Sequence, residues 1–199
     1  MSEIHYSEIV EKALRHAVAI FNSNDYRKMV YHNYQFCVDL CNTAHEIAKS
    51  EKEISNKELE QAQLAGIFYT LGKAENENQT ATSLWNQSAK QIGADDELVR
   101  QVNSCITSLI DKEAKNTNAK KLLADCVHAQ SYAQAESTNR SLFKMEALSI
   151  ANKEVSNLEW NSQQQETIEA IDFNFPFSTL KFKPVLNQQL LEYLSLIHI

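Results

Sequence analysis

Apolar residues recur at helical spacing along almost the whole chain. Near the start, Val10, Leu14, Ala17 and Phe21 fall on one face of a helix that the spacing predicts over residues 3–22. The same reasoning predicts further helices over about 33–49, 55–71, 79–92, 96–110, 119–134, 139–150, 157–171 and 186–196. We therefore expect an all-α fold, a bundle of about eight or nine helices.

The third predicted helix has two distinctive features. Ser55-Asn56-Lys57-Glu58 reads as a capping box, in which a Ser hydroxyl and a Glu three residues later satisfy backbone N–H groups at a helix start. Between Leu59 and Phe68 the helix becomes apolar nearly all round. Such a helix is buried on every side, so we expect it at the centre of the bundle.

The C-terminal region differs in pattern from the helices before it. Phe173-Asn174-Phe175-Pro176-Phe177 interrupts the helical spacing, because proline restricts its predecessor to extended conformations. We expect an aromatic strap here, followed by the short helix over 186–196. The chain is accordingly divided into a helical domain, residues 1–172, and an extension, residues 173–199, packed on the same domain. The apolar tail should dock on the bundle or on another subunit, so a homodimer is one expectation.

Composition narrows the class of protein. A chain of 199 residues with 3 Gly and 2 Pro fits one helical domain. The net charge of −7 and the lack of long basic runs argue against nucleic acid as a partner. No segment approaches the roughly 18 apolar residues of a membrane span, so we expect no membrane association and a cytoplasmic protein. The cysteines have no CxxC spacing and apolar or small neighbours, which favours free buried thiols: Cys37, Cys41, Cys105 and Cys126.

Three short motifs are spaced along the chain in a recognisable order. Tyr31-His32-Asn33 precedes the second helix, Phe68-Tyr69-Thr70-Leu71-Gly72 ends the apolar third helix, and Leu123-Ala124-Asp125 lies on the sixth. This pattern, with Ser156-Asn157-Leu158-Glu159-Trp160 near the end, resembles the HD-domain metal-dependent phosphohydrolase superfamily over most of the chain. It is most similar to small stand-alone bacterial HD proteins, and the resemblance implies an HD-like helical bundle.

The resemblance also implies which residues would hold a cation. In HD proteins the ligands are the histidine four residues after that of YHN, an adjacent His-Asp pair, and a late aspartate. Here Phe36 stands at the first position, and Tyr69 and Thr70 replace the pair. Only Asp125 keeps its ligand identity, while His32 is retained in YHN and the NHE loop becomes Asn-Glu-Asn. The expected vestigial pocket comprises Phe36, Tyr69, Thr70 and Glu77, with His32 and Asp125 as vestigial catalytic candidates.

The missing ligands decide the functional expectation. Nitrogen and oxygen donors must converge on a divalent ion for it to lower the pKa of bound water and polarise a phosphoryl oxygen. Since losing even an outer-shell group commonly costs about 10- to 100-fold in affinity, losing three direct ligands should cost at least about a thousand-fold. We therefore expect no metal or other cofactor, and a catalytically degenerate protein that binds a small ligand or protein partner in regulation. The alternative is an active phosphoric ester hydrolase for a nucleotide or other phosphoester, with a rearranged Mn, Fe, Mg or Zn site.

The two retained residues leave alternatives open. His32 is either a surviving proton donor or phosphate contact, or, as we favour, a histidine that caps the second helix or bonds a nearby carbonyl. Asp125 is either a one-ligand remnant or, as we favour, a carboxylate paired with His32 or with a backbone donor. Asp125 and His128 could also supply two ligands of a replacement site, although acid and histidine pairs at this spacing are common on ordinary helices.

Overall fold

The computed structural model describes residues 5–22, 26, 29–73, 78–111, 114–133, 137–151 and 155–197. Within these residues the backbone forms nine α-helices and no strand, which confirms the predicted all-α class. The helices are α1 (Glu8–Phe21), α2 (Tyr34–Ser50), α3 (Asn56–Gly72), α4 (Asn78–Ile92), α5 (Asp96–Ile110), α6 (Asn118–His128), α7 (Ser137–Ala151), α8 (Asn157–Glu169) and α9 (Pro176–Ile197). A π-helical turn, Ala129–Ala133, continues α6. None of the described helices is long and apolar enough to cross a membrane.

Most helix ends follow from the local sequence. The Ser55 hydroxyl accepts the N–H of Glu58 at 3.3 Å, and the Glu58 carboxylate accepts the N–H of Ser55 at 2.9 Å, which confirms the capping box. Asp95 caps α5 by accepting the N–H of Leu98, and Ser156 caps α8 by accepting the N–H of Glu159. Gly93 ends α4 with a φ of +90°, a conformation that glycine adopts without steric cost.

The central position predicted for α3 is confirmed. α3 packs against α1, α2, α4, α5 and α6, and Leu64, Ile67 and Phe68 are fully buried in it. At its C-terminal end α4 approaches closely, because a Cβ added to Gly72 would lie 2.9 Å from the backbone Cα of Ala81. The Tyr69–Thr70 pair is therefore carried by the helix that every early element packs around.

Two predicted boundaries are wrong. α1 begins at Glu8 and not at residue 3, because Ser7 is extended and its hydroxyl caps the first turn. The C-terminal helix is not short, since α9 begins directly at Pro176 and has 22 residues, with Pro184 inside it. Proline suits the first helical position, where its fixed φ is helical and its missing N–H is not needed. Of the predicted strap only residues 173–175 lie outside a helix, and α9 packs on α8, on α2 and on the π-helical turn.

Candidate functional site

The Tyr31-His32-Asn33 motif forms the turn that leads into α2. The Asn33 side chain accepts the N–H of Phe36 at 3.2 Å and donates to the carbonyl of Val30 at 3.0 Å. Asn33 is therefore the N-cap of α2, and the histidine before it is not. This turn directs the side chains of Tyr31 and His32 into the protein, where each is 6% exposed.

His32 is held by a residue that the sequence analysis missed. Glu146, on α7, accepts the backbone N–H groups of Tyr31 at 2.7 Å and His32 at 2.9 Å through Oε2, and its Oε1 pairs with His32 Nδ1. Burial lowers the pKa of His32, although the Glu146 carboxylate opposes that shift. The pairing partner of His32 is thus a glutamate, neither a nearby carbonyl nor Asp125. A carboxylate set among Leu142, Phe143 and Met145 was the sequence signal that could have revealed it.

Aromatic rings surround the imidazole. Its centroid lies 4.9 Å from that of Tyr31, 4.8 Å from that of Phe36 and 5.7 Å from that of Phe143. Phe36, which stands at the first ligand position of the HD pattern, is itself 6% exposed and packs on Tyr31 at 5.3 Å. That position contributes a packed ring and no donor atom.

The Tyr69–Thr70 pair contributes no free donor pair either. Thr70 is fully buried, and its hydroxyl donates to the carbonyl of Gly66, one turn back on the same helix, at 2.8 Å. Tyr69 is half-buried, with Lys73 Nζ 4.4 Å from its ring centroid. The Thr70 hydroxyl is therefore satisfied within α3, and the Tyr69 ring contacts a lysine at the end of the same helix.

Asp125 lies in a different environment from His32. It is fully buried on α6, and its carboxylate accepts the N–H of Asn174 at 2.9 Å, the N–H of Phe175 at 3.1 Å, and the side-chain amide of Asn174 at 2.6 Å. Burial raises the pKa of Asp125, and the hydrogen bonds from Asn174 and Phe175 oppose that shift. Both oxygens serve the segment just before Pro176, so Asp125 holds the start of α9. Glu51 completes this cap, because its carboxylate accepts the N–H of Phe177 in the first turn at 2.7 Å.

The retained residues therefore do not converge. His32 is bonded to Glu146 and Asp125 to Asn174 and Phe175, and no described hydrogen bond joins the two. Of the two partners considered for Asp125, the structure places a backbone donor beside it. Glu77, the fourth residue of the expected pocket, lies outside the described residues.

His128 lies one turn beyond Asp125 on α6. Its Nδ1 is buried and finds no hydrogen-bond partner among the described residues, and its ring lies 6.4 Å from that of Phe173. Burial, aided by the charge of Lys115, lowers the pKa of His128 to about 4. Because the Asp125 carboxylate already accepts hydrogen bonds from Asn174 and Phe175, this pair is not arranged as a replacement metal site.

The four cysteines are free and buried, as predicted. Burial raises the pKa of Cys37 to about 12 and those of Cys41 and Cys126 well above the ordinary thiol value. The raised pKa values keep these thiols protonated. Because the thiolate is the form that binds metals and attacks substrates, they act as core residues.

A divalent cation does not fit the donors at the HD ligand positions. Phe36 has no lone pair, the Thr70 hydroxyl is bonded to its own helix, and both Asp125 oxygens accept hydrogen bonds. In the described part of the chain, no three His, Cys, Asp or Glu side chains form a group suited to a metal ion. Comparisons with protein-family models, curated proteins and solved structures find no match, and the resemblance to the HD-domain superfamily rests on the sequence motifs.

Proposed function

We propose that this chain is a catalytically degenerate HD-like domain that acts in regulation by binding a small ligand or a protein partner. The observation that carries the proposal is the state of Asp125, the one retained ligand. Its carboxylate is fully buried and is used to cap α9. A metal phosphohydrolase requires this group to face a cation and a substrate.

The cost of freeing Asp125 supports the same proposal. Two backbone N–H groups and one amide N–H would lose their acceptor if the carboxylate turned towards a cation. An unsatisfied buried donor costs about 1–3 kcal/mol, so the rearrangement would cost roughly 3–5 kcal/mol even with partial rehydration. A cation held by the remaining neutral groups would have to offset that cost.

Metal content and hydrolysis test the negative part of the proposal. The protein is expressed in medium supplemented with Mn, Fe, Mg or Zn, and bound metal is measured by mass spectrometry. Phosphate release is then assayed with a panel of nucleotides and phosphomonoesters. We expect clearly substoichiometric metal and no release above buffer. Stoichiometric metal, with metal-dependent release that His32→Gln abolishes, would contradict the proposal and favour the phosphohydrolase alternative.

Restoring the ligands tests the resemblance itself. The triple variant Phe36→His, Tyr69→His, Thr70→Asp returns the HD donors, and position 70 is fully buried. Since an unpaired buried carboxylate is costly, we expect this variant to be less stable without metal and to regain Tm on addition of Mn or Zn. The matched control carries Thr70→Asn in place of Thr70→Asp and should show little metal response. A triple variant that folds but binds no metal would show that the motifs are not arranged as in HD proteins.

The proposed binding of a small ligand or a protein partner is tested separately. Thermal shifts with a nucleotide panel test the small-ligand branch, since a ligand at 100 times its Kd stabilises the native state by about 2.7 kcal/mol. Cross-linking in cell extract, followed by binding with the purified candidate, tests the protein branch. If neither yields a saturable interaction, the regulatory proposal fails even where the protein is inactive.

A further inference from the structure

The outer face of α9 carries large apolar side chains that the bundle leaves exposed. The inner face is buried and consists of Ser178, Phe182, Leu186, Gln189 and Tyr193. On the opposite side Leu180 is 79% exposed and Leu191 is 62% exposed. A helix that is already anchored by one stripe does not need large apolar side chains on the other.

The outer residues follow a coiled-coil spacing. Alternating steps of three and four residues connect Phe177, Leu180, Pro184, Asn187, Leu191 and Leu194. These six positions form the outer seam of α9. A helix turns about 100° per residue, so they fall on one stripe about opposite to the buried face. Alternating steps of three and four, with apolar residues at most positions, are the pattern of helices that pair side by side.

We propose that the outer seam of α9 pairs with the same seam of a second copy of this chain, antiparallel, around a two-fold axis near Val185 and Leu186. The seam uses none of the residues compared with the HD pattern. It therefore stands or fails independently of the proposed function.

The seam is self-complementary in that register. Antiparallel pairing centred between Val185 and Leu186 sets Leu180 against the partner's Leu191 and Phe177 against the partner's Leu194. Pro184 then meets the partner's Asn187 near the axis. Each contact occurs twice, as an isologous interface requires. Phe177 and Leu194 are only half-buried within the chain, so both are accessible for such a contact.

Charge favours the antiparallel orientation over the parallel one. α9 carries Lys181 and Lys183 in its first half and Glu192 near its end, the reverse of what the helix dipole prefers. In the antiparallel pair, Lys181 lies within about 3 Å, along the axis, of the partner's Glu192, whereas parallel helices would separate them by about 16 Å. Lys181 also pairs with Glu46, and Arg140 with Glu192 at 2.9 Å. In the dimer, the contact between Lys181 and the partner's Glu192 would join these two ion pairs into a network of alternating positive and negative side chains.

The seam predicts a weak dimer. Standard stable interfaces use about 20–30 residues from each partner, and six seam positions with a few flanking side chains fall well short of that number. Asn187 near the centre lowers stability further while it helps to fix the register. We therefore expect a concentration-dependent monomer–dimer equilibrium.

Sedimentation velocity tests the pairing with the full chain. Between about 5 and 500 μM, the range in which such small interfaces dissociate, we expect the average mass to rise from monomer towards dimer. Leu180→Glu combined with Leu191→Glu should keep the protein monomeric throughout, with an unchanged circular dichroism spectrum. The control is Val18→Glu on α1, which is 37% exposed and whose helix packs on α2, α3 and α4. It should dimerise like the wild type.

Single cysteines test the orientation. The native thiols are buried, so added surface cysteines can be oxidised selectively. A mixture of the Leu180→Cys and Leu191→Cys proteins should give a covalent heterodimer, while each protein alone should not. A protein that stays monomeric at 500 μM, or a dimer that survives the double glutamate variant, would overturn the proposal. Cross-linking by either variant alone would also overturn it, because that result requires parallel helices.

Discussion

Glu146 and Asp125 are two buried carboxylates that perform the same structural task at two places in the fold. Glu146 is 2% exposed and Asp125 is fully buried. Each accepts two backbone N–H groups from a segment that leads into a helix, Tyr31 and His32 before α2, and Asn174 and Phe175 before α9. Only Asp125 falls at a position that the motif resemblance assigns to a metal ligand. The role of a buried acid is therefore set by its partners and not by its motif.

The two carboxylates differ in the histidine beside them and in how deeply their own helices are buried. Glu146 is bonded to His32 and is the only buried side chain among the described positions 140–150 of α7. Asp125 sits on α6, where most side chains are buried, and the neighbouring His128 has an Nδ1 without a partner in the described structure. Glu146 is therefore the one buried anchor of a largely exposed helix, whereas Asp125 belongs to a helix of the core.

Removing Asp125 should have the largest effect. Asp125→Ala leaves the donors of Asn174 and Phe175 buried and unsatisfied, and we expect a loss of about 3–5 kcal/mol in the free energy of unfolding. Urea denaturation measures it. As a control, Asn174→Ala removes the side-chain bonds to Asp125 and to the carbonyl of Lys121 but keeps the backbone bonds, and should cost less, about 1.5–2 kcal/mol. An Asp125→Ala protein of nearly wild-type stability would refute the capping role.

Removing Glu146 should cost less, because its helix can move. Glu146→Ala frees three donors as well, but α7 can shift and admit water to them, so we expect a loss of about 2–3 kcal/mol. Hydrogen exchange should show α7 and residues 29–33 losing protection while α3 and α6 keep theirs. If α3 and α6 lost as much protection as α7, the two carboxylates would contribute to stability in the same way.

His128, whose Nδ1 has no hydrogen-bond partner in the described structure, should make the free energy of unfolding sensitive to acid. The pKa of His128 is about 4 in the folded chain and about 6.5 when unfolded, so the unfolded chain binds the proton more readily. Its contribution to stability is therefore complete above about pH 6.5 and is lost as the pH falls towards 4. Between pH 7.5 and pH 5 the wild type should lose about 2 kcal/mol more than His128→Gln. Parallel losses in both proteins, measured by urea denaturation, would contradict this assignment.

The smallest expected effect concerns the contact between the motif turn and the π-helical turn. The Tyr31 hydroxyl donates to the carbonyl of Gln130 at 2.9 Å. Tyr31→Phe removes this bond and keeps the ring, so we expect a loss of about 1 kcal/mol. The Tyr132→Phe variant is a matched control, since it removes a phenol hydroxyl from the same turn. If Tyr31→Phe lowers the free energy of unfolding no more than this control does, the bond to Gln130 does not contribute to stability.

Local sequence signals located most helices but not the bonds between them. Ser55 with Glu58 predicted a capping box because both partners lie within one turn. Glu146 was missed because its partners are Tyr31 and His32, far away in sequence. The start of α9 was missed for a similar reason, since its first N–H groups are accepted by Asp125 and Glu51, which are distant in sequence.

The all-α class, the central α3, the free thiols and the lack of a donor atom at Phe36 can all be read from the chain. These properties depend on residue type and on spacing within one or two helical turns. The pairing of His32 with Glu146 and the use of Asp125 at the start of α9 are visible only once the chain is folded. The physical reason is that a buried carboxylate must be satisfied by whatever donors the fold brings to it, and those donors come from segments that the local pattern cannot connect.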